Sequence, residues 1–400
     1  MINLKKQKII YFLAQFLYNM GRVLPHAVIT TIFLNKGLTE SQVSFVQSFY
    51  MLSMLVSGFP IGMLCDIFSE KNIYQFALVS IFLSFYIMLT SNNIFLLCLS
   101  RILYGVAQIS IISSLNLYFP KNLKLKNKPI KPFYVEIGYV NMFSALIGGT
   151  IGSIIFKYIN IKIYLLSLIL FFFSYVMIFI GMRRFIKIDL NIKKKDKEKA
   201  KLNYFIKVLK VILKDRKIVL MISQLIFFQL SLEIFYRYWE LLFRHKNISV
   251  EYFGITYGSM QLLSILINNL FSINKFKIRD FLLFTPITLF FILFVKTRNL
   301  FLSLVFFFLM ASVFYFYNRQ LELKIQVISN PLFMSSIISF STAMSNIASF
   351  VLMQTNSMLL KSNISIETIT CSIMLVFFFG SVLTNFLDFI IKKKKRISIN

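Results

Sequence analysis

Long apolar runs separated by short polar or basic stretches make up most of this sequence. Twelve runs approach or exceed the roughly 20 residues that a helix needs to cross the hydrocarbon core of a bilayer. They cover residues 9–34, 42–65, 73–90, 94–118, 133–156, 161–182, 218–243, 251–273, 281–296, 300–318, 332–360 and 366–390. Because the runs are apolar all round rather than alternating, they predict an all-α membrane protein with twelve transmembrane helices, not a membrane barrel.

The longest connection, residues 183–217, divides the chain into two sets of six helices. We therefore predict an N-terminal six-helix bundle at 1–182, a basic linker at 183–217, and a C-terminal bundle with a basic tail at 218–400. Within the linker, apolar residues of 204–214 alternate with lysines, a pattern typical of an amphipathic helix on a membrane surface. A solvated linker that only fixes the topology is the alternative interpretation.

Composition supports a lipid environment. The chain is 58% hydrophobic and 15% charged, whereas soluble domains are about 45–50% apolar and about 25% charged. The net charge of +29 lies in the connections between apolar runs, where basic residues mark cytoplasmic loops. This distribution argues against a nucleic-acid partner and leaves the bilayer and a small-molecule substrate as the expected partners.

The lysines and arginines also predict an orientation. If the N-terminus is cytoplasmic, the inner segments hold 33 of the 44, the outer connections hold eight, and three lie inside predicted helices. By the positive-inside rule, both termini are cytoplasmic in a multi-pass protein of the plasma membrane. The basic start "MINLKKQK" has no small-residue cleavage site after it, so we read the first run as a retained helix.

Several other chemistries find no support in the sequence. Cys65, Cys98 and Cys371 lie far apart inside apolar runs, a spacing that indicates neither a disulfide framework nor a metal site. The phosphate-binding pattern GxxxxGK[ST] is absent, so ATP hydrolysis of that kind is not expected. We expect a monomer without cofactor or metal, driven by a proton gradient.

The stretch "GFPIGMLCDIFSEKN" at 58–72 lies between the second and third apolar runs. Ser69 is a predicted N-cap for the third helix. The stretch resembles the G-x-L-a-D-r-x-G-r-k pattern of the major facilitator superfamily. Four residues match it: Gly62, Leu64, Asp66 and Lys71. Three positions depart from it: Ile67, Ser69 and Glu70. In that family the loop stabilises one gate conformation, which implies a conformational role for Gly62, Asp66 and Lys71.

Two further stretches resemble motifs of that family. "SRILYGVAQ" places Gly105 four residues after Arg101 in the fourth helix, and "SALIGGTIGS" carries Gly148, Gly149 and Gly152 in the fifth. The second is similar to the glycine-rich antiporter motif, without its proline, and implies a drug-efflux type. The resemblance also implies two six-helix bundles around a cavity lined by helices 1, 4, 7 and 10.

Six Asp, Glu, Lys or Arg residues lie at least three residues from either end of a predicted helix, where a charge facing lipid costs about 2.5–3.5 kcal/mol. They are Arg22, Arg101, Glu136, Glu233, Arg237 and Glu240. Counting about 1.5 Å per residue from the helix ends places Arg22, Arg101 and Glu233 at one level, and the resemblance implies a shared site. Glu233 is the candidate proton carrier, with Arg237 four residues later on the same helix face.

The remaining candidates are weaker. Glu240 follows Tyr238 and Trp239, which predicts an interfacial aromatic belt, and Glu136 near the cytoplasmic start of helix 5 predicts an inner-gate contact with the 66–71 loop. Polar residues expected to line a cavity are Asn19, His26, Gln47, Gln108 and Asn116. His26 follows a proline, so a packed residue at a kink is the alternative to a proton relay.

These observations predict a secondary active transporter that moves a small solute by alternating access, and not an enzyme. The helix-5 glycines and many aromatic residues favour proton-coupled efflux of an amphipathic compound. The arginines favour an alternative, proton-coupled uptake of an organic anion or another small metabolite. A membrane enzyme or flippase acting on lipid-linked sugars is the alternative of another class, although the short outer connections offer no catalytic constellation.

Overall fold

A computed structural model describes residues 4–125, 129, 131–182, 215–273, 280–328 and 334–397. Among these residues, the first half of the chain forms eight α-helices. They are α1 (Leu4–Val23), α2 (Ile29–Asn35), α3 (Glu40–Ile67), α4 (Glu70–Thr90), α5 (Ile94–Ser113), α6 (Leu115–Leu125), α7 (Lys131–Ile159) and α8 (Ile163–Gly181). Short 3-10 turns follow α1 and α7, at His26–Val28 and Asn160–Lys162.

The second half is helical in the same way. Its helices are α9 (Arg216–Glu233), α10 (Trp239–His245), α11 (Glu251–Ile273), α12 (Phe281–Lys296), α13 (Leu300–Ile328), α14 (Met334–Lys361) and α15 (Ile366–Ile397). A π-helical turn, Ile234–Tyr238, joins α9 to α10. No strand occurs among the described residues.

Each of the twelve predicted apolar runs coincides with a helix or a pair of consecutive helices, which confirms the all-α prediction. Six helical stretches of the described chain are long and apolar enough to cross a membrane, and one of them, 135–181, covers two predicted runs. Three helices end well beyond their predicted runs. α6 continues to Leu125, α13 continues to Ile328 through residues expected to form a connection, and α15 continues to Ile397. Most of the 183–217 linker, including its predicted amphipathic segment, lies outside the described residues.

Two of the predicted runs are interrupted. The first bends at Pro25, where the 3-10 turn replaces one turn of α-helix between α1 and α2. Proline lacks the amide hydrogen of a helix ladder and clashes with the preceding turn, which explains the break. The fourth run breaks at Ser114, whose backbone leaves the helical region between α5 and α6.

The chain forms two compact units. Unit 1 contains residues 1–188, 243–262 and 353–362, and unit 2 contains 189–242, 263–352 and 363–400. In unit 1, α4 packs on α5 and α8, and α8 packs on α1. In unit 2, α12 packs on α13 and α15, and α15 packs on α9. The same three helix pairings therefore recur in both halves of the sequence, as expected for an internal repeat.

Two turns show the repeat in their backbone. "NKGLTE" follows α2, "HKNISVE" follows α10, and each contains one left-handed residue, Gly37 with φ +85° or Asn247 with φ +57°. The next amide returns to the carbonyl five residues earlier, at 3.2 Å for Leu38 and 3.0 Å for Ile248. This is the Schellman arrangement, which satisfies the last carbonyls of a helix. The repeat is therefore visible in sequence at these turns, although the basic loops show it only as hydropathy.

Candidate functional site

A partly buried arginine near the end of α1 is surrounded by neutral groups. Arg22 donates from Nη2 and Nε to Asn19 Oδ1, at 2.7 and 3.0 Å, and from Nη1 to Tyr104 Oη at 3.5 Å. Asn19 in turn donates to the Asn141 carbonyl and the Ser144 hydroxyl on α7, both at 2.8 Å. Among the described residues, the hydrogen bonds of Arg22 thus go to uncharged partners, so its positive charge is not cancelled there.

A second arginine lies beside the first. Arg101 on α5 is 2% exposed, and its guanidinium carbon stands 5.2 Å from the ring centre of Phe33 and 5.3 Å from that of Tyr104. Such cation–π contacts stabilise a desolvated arginine by about 2 kcal/mol. Arg22 and Arg101 therefore both contact Tyr104, which brings them together in unit 1. Their role in transport stays a prediction.

Amide and hydroxyl groups extend this cluster across α1, α4, α5 and α7. Gln108, a predicted lining residue, donates to Tyr18 Oη at 3.0 Å. Tyr74 donates to Gln15 Oε1 at 3.1 Å, and Gln15 donates to Asn141 Oδ1 at 3.2 Å. We call Arg22, Asn19, Tyr104, Gln108, Tyr18, Gln15 and Asn141 the amide cluster. Neutral hydrogen bonds of this kind hold helices together in lipid and also offer donors and acceptors to a polar solute.

The other predicted lining residues lie in different surroundings. Asn116 on α6 accepts a 2.5 Å hydrogen bond from Tyr11 Oη, within an aromatic cluster of α1. His26 packs edge to face against Tyr257, with ring centres 5.6 Å apart, as the kink interpretation expects. Gln47 on α3 is 2% exposed. None of these three shares a hydrogen bond with Arg22 among the contacts of the described residues.

Glycines allow close helix contacts in unit 1. A methyl group on Gly105 would come within 2.9 Å of the Tyr50 carbonyl and of Ser53 on α3, so Gly105 brings α5 against α3. A methyl group on Gly148 would meet the Met20 carbonyl of α1 at 2.9 Å, and one on Gly152 would overlap the Leu24 carbonyl. Gly148 and Gly152 of α7, the fifth predicted helix, therefore have a packing role that does not depend on the direction of transport.

The loop that resembles the family motif is described in part. Ser69 caps α4 by accepting from the Asn72 amide at 3.3 Å, which confirms the predicted N-cap. Lys71 donates to the Met182 and Phe179 carbonyls at 3.0 and 3.4 Å, at the end of α8. A cation there is stabilised by the helix dipole. The side chain of Asp66 and the surroundings of Gly62 lie outside the described residues.

Glu136 does not join the loop in the described contacts. It forms an ion pair with Lys8, which connects α7 to α1. The two side chains are 45% and 28% exposed, and a pair so accessible to solvent contributes little to stability. In the described part of the chain the ionic partner of Glu136 is thus the start of the first helix, and its predicted contact with residues 66–71 stays a prediction, because the side chains of 65–67 lie outside the described residues.

Glu233, the acid predicted in the seventh helix, lies at the end of α9 in unit 2. Glu233 is 2% exposed, accepts from Arg237 Nε at 3.0 Å through Oε2, and accepts from Gln229 Nε2 at 3.0 Å through Oε1. Both carboxylate oxygens therefore have a partner, as a buried charge requires. Arg237 lies in the π-helical turn, a backbone feature that occurs frequently at functional sites.

The aromatic-belt prediction for helix 7 is wrong. Tyr238, Trp239 and Glu240 are only 2%, 3% and 1% exposed, whereas belt residues stand at the lipid–water boundary. The prediction failed because the aromatic residues were assigned from their distance to the helix end. The side of the helix that they occupy decides their exposure.

A charged cluster in unit 2 was missed by the sequence analysis. Asp280, just before α12, is 8% exposed in its side chain and pairs with Lys324 of α13. It also accepts from Gln320 Nε2 at 2.7 Å and Gln224 Nε2 at 3.1 Å, and Gln224 donates to Tyr317 Oη at 2.7 Å. Lys324 and Gln320 were assigned to a connection, so their helical positions were not considered. The equivalent start of α4 carries another buried acid, Glu70, which is 6% exposed.

Segments from the second half of the sequence close one end of unit 1. Two hydroxyls of α3 donate to carbonyls of α14, Ser41 to Ser357 at 2.7 Å and Ser44 to Met353 at 2.8 Å. At the same end, His245 Nε2 lies 3.0 Å from Glu40 Oε1. Burial lowers the pKa of Lys36 in the neighbouring turn, where its ammonium donates to the Ser91 carbonyl at 2.6 Å. The two Schellman turns thus belong to one end of unit 1.

No group of three or more His, Cys, Asp or Glu side chains in the described part of the chain could hold a metal ion. The sites available there consist of ion pairs, amides and hydroxyls. They can bind a polar or charged solute and carry a proton on a carboxylate.

Comparisons with known proteins agree with this architecture. The sequence model of the Major Facilitator Superfamily matches residues 11–318. A crystal structure of a mutant of the nucleoside transporter NupG superposes with a TM-score of 0.77 at 12% identity, covering 95% of this chain and 98% of the other. A D-xylose-proton symporter has a TM-score of 0.65 at 12% identity, covering 96% and 97%. No curated protein sequence matches significantly. At such low identity the structural matches establish the fold alone.

Proposed function

The chain belongs to the Major Facilitator Superfamily, and on that premise we propose that it is a proton-coupled secondary transporter that moves a small polar solute by alternating access. It is a multi-pass membrane protein, and the basic inner segments support a plasma-membrane location with both termini in the cytoplasm. The observation that carries the proposal is the buried Glu233–Arg237 pair in a helix that the family uses to line its cavity.

Glu233 has the properties of a proton carrier. A proton on its carboxylate removes the negative charge that holds Arg237, and Gln229 keeps one oxygen hydrogen-bonded. Protonation therefore changes the partner of a buried cation, which is the kind of local charge change that biases a two-state structure. When the carboxylate again pairs with Arg237, it releases the proton on the other side of the membrane, so each cycle moves one proton with the solute.

The amide cluster supports a solute that carries hydroxyl groups. Asn19, Gln108, Tyr104 and Arg22 present amide, phenol and guanidinium groups within unit 1, and such groups recognise hydroxyls through paired donors and acceptors. The similar structures are a nucleoside transporter and a D-xylose-proton symporter, whose named solutes carry hydroxyl groups. We therefore favour uptake of a hydroxylated solute over efflux, because the helix-5 glycines are already accounted for by packing.

An organic anion is the second candidate. The hydrogen bonds of Arg22 among the described residues go to Asn19 and Tyr104, which are neutral. Its positive charge could therefore attract a carboxylate or phosphate. Arginine binds such groups through two parallel hydrogen bonds.

Counterflow in proteoliposomes tests the proposal. The purified protein is reconstituted into proteoliposomes, and these are loaded with unlabelled nucleosides, pentoses, organic anions or amphipathic drugs. Uptake of the labelled compound is then followed with and without an imposed pH gradient. We expect counterflow with a hydroxylated solute and further accumulation when the outside is acidic. Counterflow only with amphipathic drugs would contradict the choice of solute.

The variant Glu233→Gln separates binding from coupling. We expect it to keep counterflow and to lose acceleration by the pH gradient, because glutamine can accept from Arg237 through its amide oxygen, can donate to the Gln229 side-chain oxygen once that amide turns over, and cannot carry the proton. Glu367→Gln is the matched control, since Glu367 is a carboxylate in the first turn of α15 that belongs to no predicted site, and it should respond to the gradient like the unaltered protein. A full response in Glu233→Gln would remove Glu233 from the mechanism.

A further inference from the structure

A cavity of about 480 Å³ lies in unit 1 between the end of α7 and the turn from α10 to α11. Its polar lining comes from Ser153, Lys157, Asn160, Arg244, Ser249 and Glu251. We call it the α7–α11 cavity. It contains none of the residues of the amide cluster and none of those around Glu233, so it is separate from the site proposed for the solute.

The cavity carries a positive charge on two fixed walls. Lys157 and Glu251 form an ion pair at 2.9 Å, with both side chains about half exposed, and Arg244 adds a second cation. Asn160 and Asn247 hold left-handed backbone conformations, with φ of +50° and +57°. The two cations, one carboxylate and two fixed turns therefore form a preorganised pocket with an excess of one positive charge.

Exposed apolar residues neighbour the charged residues of the cavity along both helices, since Tyr158 follows Lys157 and Tyr252 follows Glu251. Ile151, Ile154 and Tyr158 lie on one face of α7 and are 39%, 49% and 77% exposed, and Tyr252 and Ile255 on α11 are 59% and 53% exposed. Tyrosines typically stand at headgroup level, and exposed aliphatic residues below them meet acyl chains. The cationic pocket and the apolar strip thus have the relative arrangement of a phospholipid headgroup and its chains.

We propose that the α7–α11 cavity binds the phosphate group of a phospholipid, with Arg244 and Lys157 holding the phosphate and the acyl chains lying along the exposed face of α7 and α11. A free phosphate ester has the same charged chemistry. It makes no use of the apolar strip, so the strip favours the lipid.

The binding would also stabilise one conformation. The Ser153 hydroxyl donates to the Glu251 carbonyl at 3.2 Å, and a methyl group on Gly254 would overlap Ser153, so α7 and α11 touch at the cavity. A phosphate bridging Lys157 and Arg244 connects these same two elements. A ligand that binds only while they touch shifts the population toward that state.

Lipid titration of the purified full-length protein in detergent tests the proposal, with bound lipid counted by native mass spectrometry. The probe is dioleoylphosphatidylglycerol, dioleoylglycerol is the control without phosphate, and glycerol 3-phosphate is the soluble arm. We expect saturable binding of the phospholipid, weakened about fivefold by Arg244→Gln and about fivefold by Lys157→Gln. Arg244→Lys should retain most of the affinity, and Arg298→Gln, which changes an exposed arginine outside the cavity, should leave it unchanged.

Several results would overturn the proposal. Equal affinity in the unaltered protein and both glutamine variants would place the lipid elsewhere. Equal binding of dioleoylglycerol would show that the phosphate is not recognised. Binding of glycerol 3-phosphate without binding of the phospholipid would identify a soluble anion as the ligand. A folded Arg244→Lys protein with affinity as low as that of Arg244→Gln would contradict a simple charge contact.

Discussion

The first helix of each half carries an amide followed by a charged residue, with opposite signs in the two halves. Asn19 and Gln229 both lie 18 residues before the left-handed residue of the next turn, Gly37 or Asn247. Asn19 accepts from Arg22 three residues later, whereas Gln229 donates to Glu233 four residues later. The repeated frame thus places a cation in one half and an acid in the other.

The surroundings of the two charges also differ. Glu233 is neutralised by Arg237, whereas the hydrogen bonds of Arg22 in the described chain go to neutral groups. A buried pair loses much when one partner is removed, and a charge among neutral dipoles loses only its hydrogen bonds. Under the proposed function, proton chemistry would therefore belong to the second half and attraction of a solute to the first.

Removing the cation of the pair should have the largest effect. Arg237→Gln leaves the Glu233 carboxylate buried without its cation and should lower the free energy of unfolding by about 3–5 kcal/mol. Chemical denaturation in detergent measures it. The double variant Glu233→Gln, Arg237→Gln should recover most of the loss, because neither charge of the pair then remains. A double variant as unstable as the single one would contradict the assigned pair.

Arg22→Gln should destabilise the protein less than Arg237→Gln does, and its main effect should be on affinity for the solute. It removes charge-assisted hydrogen bonds to Asn19 and Tyr104, worth about 1.5–3 kcal/mol together with their desolvation. Affinity for the solute should fall in the same variant, whereas the pH-gradient response per molecule transported should remain. Arg22→Lys should restore only part of the affinity, because one ammonium cannot reproduce the fork to Asn19. Unchanged solute affinity in Arg22→Gln would separate Arg22 from the binding site.

Gly152→Ala tests the contact just beyond Arg22. The added methyl group overlaps the Leu24 carbonyl, and forced repacking of this kind costs about 1–3 kcal/mol. Gly138→Ala is the control on the same helix, since no atom lies within 4 Å of its added methyl group. Equal thermal stability of the two variants would contradict the close approach of α7 to Leu24.

Exchanging the two turn residues should have the smallest effect. Gly37→Asn and Asn247→Gly should each change the free energy of unfolding by less than about 1 kcal/mol, because both residues adopt left-handed conformations. Gly37→Val should cost about 1–2 kcal/mol, since a side chain branched at Cβ is strained there. If Gly37→Asn were as unstable as Gly37→Val, the two turns would not be equivalent.

The helical architecture could be predicted from sequence because a bilayer imposes one physical requirement, about 20 apolar residues for each crossing. The ends of the helices were predicted less accurately from the sequence. α13 carries Gln320 and Lys324 beyond its apolar run, and hydropathy cannot distinguish a polar helical turn from a loop. The Asp280 cluster was missed for this reason.

The candidate site was predictable in part. Distance along a helix predicted that Arg22 and Arg101 lie near one another, since rise per residue is nearly constant, and both contact Tyr104 in the structure. The hydrogen-bond partners of a side chain depend on how its helix is rotated about its own axis and on which helix packs beside it. The contacts with Tyr104 and Asn141 therefore could not be derived from the sequence. The predicted meeting of Glu233 with the two arginines stays a prediction.

The π-helical turn Ile234–Tyr238, between α9 and α10, gives the seventh predicted helix a point at which its backbone can rearrange locally. A π-helical turn holds one residue more than the α-helical turns beside it, and the chain passes from unit 2 to unit 1 shortly afterwards, between Leu242 and Phe243. Sliding that surplus residue by one position would swing the Arg237 side chain by about 100° around the helix axis without unwinding either end. The Arg237 guanidinium could then exchange one partner for another while the helix stays continuous on both sides of the turn.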